Sequence, residues 1–186
     1  MSIVNSIEIV REWLDSTVCP MVQLKLPDDS ATDASYPYKL VNPTAFSLFV
    51  PSKDRLPPKV PAPIPSVCVQ IVEGTDSLTM SSRSIKIRLC FSAWDPGYHG
   101  RDIFKPKNDG SGAYVQWQNE EATAFFEKNG EGWRDAWNFV DTALRMIENA
   151  EYIGPLRVMK EDGITFGPVS EQDAVPDFYP YWFAWV

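Results

Sequence analysis

The sequence predicts an α+β fold, in which a mainly antiparallel β-sheet carries two principal helices on one face, with a long proline-rich arm and long loops outside it. Apolar residues recur at helical spacing in residues 2–18 and 132–150, and they alternate strictly in 66–74 and 84–94. Six of the sixteen prolines fall between residues 51 and 65. We expect residues 1–186 to form a single domain.

The first predicted helix spans residues 2–18, with Ser2 as its N-cap, and Pro20 ends it. One face of this helix is apolar through Ile3, Ile7, Val10 and Leu14. Alternating residues then predict strands at 21–26 and 45–50.

Residues 51–65 form the proline-rich arm, which we expect to be extended because proline fixes φ and lacks an N–H. The arm contains Arg55, Pro58 and Pro61 at the spacing of a ligand for Src-homology-3 domains. We interpret it as a spacer, since such composition mostly makes extended connections.

The two clearest strands, 66–74 and 84–94, are predicted to pair as an antiparallel hairpin. Matching the apolar faces requires odd-numbered residues to oppose odd-numbered ones, and one such register sets Val69 opposite Leu89 and Cys68 opposite Cys90. A disulfide is geometrically conceivable there, but we expect thiols, because free cysteine commonly behaves as a small buried hydrophobe.

A long loop region, 95–119, precedes the second helix, 132–150. The helix carries an apolar stripe, flanked by Ala136 and Ala143, of Trp133, Trp137, Val140, Leu144 and Ile147. Three strands are predicted after it, at 152–160, 163–169 and 177–186.

The closing stretch "DFYPYWFAWV" is apolar on both faces of a strand. Alternation puts Trp182, Ala184 and Val186 on one face, and it puts Tyr179, Tyr181, Phe183 and Trp185 on the other. We expect the helices to cover one face and a loop or another subunit to cover the second. Pro180 removes a ladder donor, which favours an edge position or a bulge.

The sequence offers little for catalysis. His99 is the only histidine, and no glycine-rich phosphate loop, nucleophile elbow or paired CxxC motif is present. We therefore predict no enzyme and no catalytic, cofactor-binding or metal-binding residues. The net charge of −8 argues against a phosphate-binding surface. Residues 1–18 lack the pattern of a signal peptide, and no apolar run reaches the ~20 residues of a membrane helix.

Several segments together resemble the tail-terminator and tail-completion proteins of long-tailed bacteriophages and prophages. They are "IPSVCVQIVEG", "IKIRLCFSAWDPG", "GWRDAWNFVDTALRMIENA", "ITFGPVSEQ" and "FYPYWFAWV". The resemblance implies an α+β protomer without catalytic residues that forms a homo-oligomeric ring, commonly a hexamer. Such a ring caps the tail tube and joins it to the head-completion protein, while DNA passes through without specific binding. It would assemble in the host cytoplasm and then belong to the virion tail.

The predicted interface comprises loop 74–83, loop 95–113 and the aromatic tail. Its candidate residues are Trp94, Tyr98, Phe104, Tyr179, Tyr181, Trp182, Phe183 and Trp185. Two alternatives remain open. A monomeric module could stack exposed aromatics such as Trp94 and Trp117 on carbohydrate or bases. An enzyme could use acidic residues such as Asp95, Asp102 or Glu171.

Overall fold

The computed structural model describes residues 1–27, 38–52, 61–95, 104–106, 114–116, 132–161, 163–170 and 180–186. For 104–106 and 114–116 it describes the backbone alone. The helices are α1, Ile3–Trp13, and α2, Trp133–Asn149. The strands are β1 Leu24–Pro27, β2 Tyr38–Val41, β3 Thr44–Ser47, β4 Ser66–Ser77, β5 Ser82–Trp94, β6 Phe104–Pro106, β7 Tyr114–Gln116, β8 Tyr152–Ile153, β9 Leu156–Arg157, β10 Gly167–Pro168 and β11 Tyr181–Trp185.

The predicted N-terminal helix is present and is capped as expected. The Ser2 hydroxyl accepts a hydrogen bond from the Asn5 N–H at 3.1 Å, which satisfies one of the free donors of the first turn. The helix continues as a π-helical turn, Leu14–Val18, and ends in a 3₁₀ turn, Cys19–Met21, that contains Pro20. Of the predicted apolar face, Ile3 is exposed and the other three residues are buried.

A five-stranded sheet, ordered β10-β11-β5-β4-β3, forms the centre of the fold. Its pairs are antiparallel except β3 and β4, which run parallel. A parallel pair needs a long crossover, and segment 48–65 makes this connection between β3 and β4. Within that segment, residues 53–60, which include Arg55 and Pro58, lie outside the described residues.

The predicted β4–β5 register is confirmed: Val69 lies opposite Leu89, and Cys68 lies opposite Cys90. The register shifts between Ile71 and Glu73, and pairing then continues to Ser77 opposite Ser82. The predicted loop 74–83 is therefore mostly a two-stranded ribbon, closed by a turn over residues 78–81. No described strand pairs with either outer edge of this ribbon.

Both helices pack on one face of the sheet, as predicted, and share one core with it. The stripe predicted for α2 is wrong at its start, because Trp133 is 46% exposed. The most buried residues of α2 are Ala136, Phe139, Val140 and Ala143, and the predicted Trp137, Leu144 and Ile147 pack against the core beside them. The Phe139 ring meets Phe91 of β5 edge-on, with centroids 4.8 Å apart. Small residues let α2 approach the sheet closely enough for this contact.

Two other strand predictions need correction. The predicted strand 45–50 ends at Ser47, because the next residue, Leu48, turns to φ 65°. The predicted strand 152–160 is a short hairpin of β8 and β9 that turns at Gly154, whose φ of 57° suits glycine. Among the described residues, no helix is long and apolar enough to cross a membrane.

Candidate interaction surface

Residues 181–185 of the aromatic tail form β11, which pairs with β5 along its length and with β10 only at Ala184 and Trp185. Its even-numbered residues face the helices: Ala184 and Val186 are buried in the core, and Trp182 packs against it. Val186 exchanges both backbone hydrogen bonds with Leu89, at 2.8 and 2.9 Å. The expectation that the helices cover one face of this strand is therefore confirmed.

The odd-numbered face of β11 is only partly covered. Tyr181 is 41% exposed, whereas Phe183 and Trp185 are half-buried. The indole N–H of Trp185 donates to the Pro168 carbonyl at 2.9 Å, and the Arg88 guanidinium lies 5.1 Å from its ring centre. Trp185 thus has partners within its own chain.

Trp182 fixes the start of α2 against the sheet. Its indole N–H donates to the Asp95 backbone carbonyl at 3.2 Å. Gly132, immediately before α2, packs so closely that a Cβ there would overlap the Trp182 indole and come within 2.7 Å of Asp95 Cβ. Trp182 therefore contributes to packing inside the protomer.

The predicted interface residues whose side chains the structure describes are not all exposed. The Trp94 side chain is buried within the chain and only 4% exposed. The prediction that Trp94 is available for surface contacts or for stacking on a ligand is therefore wrong. Tyr98 and Tyr179, like most of loop 95–113, lie outside the described residues. Phe104 begins β6, where the structure describes the backbone alone. Of the candidates whose side chains are described, Tyr181 is the most accessible.

A charged cluster lies where β5 ends. The Lys25 ammonium pairs with the Asp95 carboxylate at 2.6 Å. Burial raises the pKa of Asp135, and the charge of Lys25 partly opposes that rise while Asp95 adds to it. These groups link β1, β5 and α2. The other acidic candidates, Asp102 and Glu171, and the single histidine, His99, lie outside the described residues.

The opposite end of the sheet is exposed and apolar. At the ribbon turn, Leu78 is 89% exposed and Met80 is 74% exposed. The ribbon behind them is held by charged side chains: Arg83 pairs with Asp76, and its Nη1 donates to the Met1 carbonyl at 3.3 Å. This contact places the start of α1 beside the ribbon.

Two further segments add apolar side chains at this end. β3 runs parallel to β4, so residues 48–50 leave the sheet on the ribbon side, and the Leu48 N–H donates to Val69 O at 2.8 Å. The Ser47 hydroxyl donates to Glu8 of α1 at 2.7 Å, and this bond, with one from Arg11, lowers the pKa of Glu8. We call the exposed set the apolar end: Met1, Ile3, Val4, Leu48, Phe49, Val50, Val72, Leu78 and Met80.

Sequence reasoning found the ribbon tip, as part of loop 74–83, and missed the rest of the apolar end. Residues 48–50 continue the alternation of β3, and Ile3 continues the helical stripe, so both patterns predicted burial. For residues 48–50, the sequence signal that could have indicated exposure is Pro51, because a proline directly after a strand pattern favours an earlier end of the strand.

Among the described residues, no group of three or more histidine, cysteine or acidic side chains is placed to hold a metal ion. Comparisons with protein-family models, with curated proteins and with solved structures find no match to this chain. The function is therefore inferred from the exposed side chains of the described residues.

Proposed function

We propose that this protein is a structural assembly protein that contacts further copies of itself through the apolar end, as a tail terminator of a phage or prophage would. The observation that carries the proposal is the apolar end. It presents nine large apolar side chains to solvent from three separate segments. Exposed apolar side chains that are concentrated at one end of a fold favour an interaction surface there.

The ribbon suits a contact between subunits. Behind its tip, Glu73 lies opposite Lys86 and Asp76 lies opposite Arg83, so the charged side chains are matched within the ribbon. The turn over residues 78–81 carries no charged side chain, and burying Leu78 and Met80 in a neighbour removes them from water. A closed ring is built from such heterologous contacts, in which one patch meets a different patch.

In the proposed role, a ring, commonly of six protomers, caps the tail tube and stops its growth. It then presents a joining surface to the head-completion protein. The protein acts first in the host cytoplasm and then within the virion tail, and it is not an enzyme. Its net charge of −8 supports this role, because DNA must pass such a ring without being held.

The test is the absolute mass of the protein by light scattering over a concentration series, with and without a polymerising phage tail-tube protein. We expect rings near six protomers, or arrest of tube growth by substoichiometric protein. The double variant Leu78→Ser/Met80→Ser should lose both behaviours and keep its melting temperature, because both side chains are exposed.

The matched control is Leu40→Ser/Met159→Ser, which removes the same two side-chain types from exposed positions outside the apolar end. This variant should assemble as the wild type does. If the two double variants behave alike, the apolar end is not the contact. A wild-type protein that stays monomeric and leaves the tube untouched would contradict the assembly proposal and favour a monomeric ligand-binding module.

A further inference from the structure

Two cysteines face each other at the centre of the sheet. Cys68 of β4 lies directly opposite Cys90 of β5, and both are free thiols. Their neighbours Val69 and Leu89 point into the helix-covered core, so the two cysteines share the other face. Cys68 is buried and Cys90 is half-buried.

Backbone hydrogen bonds fix the separation of this pair. Leu89 directs both of its backbone groups to Val186 in the direction of β11, so the adjacent Cys90 directs its own toward β4. The Val69 carbonyl accepts from Leu48 on the β3 side, so Cys68 directs its backbone groups toward β5. The two cysteines are thus a hydrogen-bonded pair, for which Cα atoms lie about 5.5 Å apart. That distance is within the range of about 4.4–6.8 Å that disulfides span.

The thiols also interact with each other and with one neighbour. The Cys90 thiol donates to Gln70 Oε1 at 3.3 Å. Burial, and then the adjacent Cys90, raises the pKa of the Cys68 thiol to about 11. Burial also raises the pKa of Cys90, which the charge of Arg88 partly offsets. Both groups are therefore thiols at neutral pH and react only as the small thiolate fraction.

We propose that Cys68 and Cys90 form a reversible cross-strand disulfide when the folded protein meets a low-molecular-weight disulfide such as oxidised glutathione. The more accessible Cys90 loses its proton and attacks one sulfur of the oxidant, releasing one small thiol. Cys68 then loses its proton and attacks the Cys90 sulfur, releasing the second. Two protein thiols are oxidised to one disulfide, and one small disulfide is reduced to two thiols.

Closing the bond draws the strands together. Facing Cβ atoms of a hydrogen-bonded pair lie at the upper end of the range of about 4.5–5.5 Å found in antiparallel strands, whereas a disulfide needs about 3.5–4.5 Å. The bond joins the two strands at the base of the ribbon. The third cysteine, Cys19, packs in the core on the helix side of the sheet and cannot substitute for either partner. If the protein leaves a reducing cell interior within a virion, the bond closes after assembly; this timing, unlike the bond itself, rests on the proposed function.

The test is incubation of the folded protein with oxidised glutathione at mildly alkaline pH, followed by thiol counting and intact-mass measurement. We expect two of the three thiols to disappear and the mass to fall by two hydrogens. The melting temperature should rise by about 5 °C, since a cross-link restricts the unfolded chain. Dithiothreitol should reverse all three changes.

Cys19→Ala should behave as the wild type, whereas Cys90→Ser and Cys68→Ala should each form no intramolecular bond. Using two variants guards against one that folds poorly. Three remaining thiols, a glutathione adduct retained on Cys90, or a bond to Cys19 would each overturn the proposal. An oxidised protein that melts no higher than the reduced one would overturn it as well. None of these outcomes depends on whether the protein assembles into rings.

Discussion

Leu48 combines a strained backbone with an exposed apolar side chain. Its φ of 65° lies in the left-handed region, which costs an ordinary residue roughly 1–2 kcal/mol. The side chain gains little burial in return, because it is exposed at the apolar end. Strain of this kind persists where the surrounding structure requires it and often coincides with function. In the proposed assembly, the Leu48 side chain would contact a neighbouring subunit.

Leu48→Asn should therefore stabilise the protomer while weakening its assembly. Asparagine tolerates the left-handed region, so we expect a gain of about 0.5–1 kcal/mol in the free energy of unfolding. That gain corresponds to a rise of about 1–4 °C in melting temperature. Calorimetry and light scattering on the same samples measure the two effects.

Phe49→Asn is the control for Leu48→Asn, because it removes a neighbouring exposed apolar side chain without a positive φ. It should weaken assembly and leave the melting temperature unchanged. If Leu48→Asn melts no higher than Phe49→Asn, the backbone at residue 48 is not strained. If neither variant assembles less well than the wild type, this segment is not part of the contact.

At the scale of elements, β11 contributes to the core as well as to the sheet. Ala184 and Val186 are buried against the helices, and Trp182 packs beside them. The strand also lies antiparallel beside β5, opposite residues Cys90 to Trp94. Full burial of one large apolar side chain stabilises by about 1.5–3 kcal/mol, so several such losses together approach the whole stability of a domain.

Deletion of residues 178–186 should consequently unfold or aggregate the protein. Circular dichroism and size-exclusion chromatography would detect the loss of a cooperative transition. Tyr181→Ser, at the exposed end of the same strand, is the control and should change the melting temperature little. A truncated protein that melts at the wild-type temperature would mean that β11 is not part of the core.

Periodicity predicted those elements in which local pattern and tertiary environment agree. Apolar alternation restricted the β4–β5 pairing to registers in which odd residues oppose odd ones, because a one-residue slip would turn Val69 and Leu89 out of the core, and the observed register is one of these. The pattern failed at the start of α2, where Trp133 has the correct spacing but lies in the first turn and is 46% exposed. Ala136 and Phe139 make the contact instead. Which helical face is buried depends on shape as well as hydrophobicity, and shape is not contained in the period.

Sequence periodicity likewise did not predict that β3 pairs in parallel with β4. Pairing of strands distant in sequence depends on where the crossover segment returns the chain, and 48–65 carries no signal for that direction. The candidate site was predicted only in part for a related reason. The ribbon tip is evident as a turn, but exposure of Leu48 and Ile3 is decided by where neighbouring elements end.

At the scale of the whole molecule, charge and apolar surface make opposite contributions to self-association. Each protomer carries a net charge of −8, so copies repel one another at low salt. The apolar end has its ribbon charges matched within the chain, so we expect contact there to depend on removal of apolar surface from water, which salt does not weaken.

Raising the salt concentration should therefore strengthen assembly. From about 0.1 M to about 1 M salt, the Debye length falls from roughly 10 Å to roughly 3 Å, which screens the repulsion between protomers. We expect the association constant from light scattering to rise several-fold over this range, and Leu78→Ser/Met80→Ser to show no such rise. Association that weakens with salt would mean that ion pairs between subunits, rather than the apolar end, hold the assembly together.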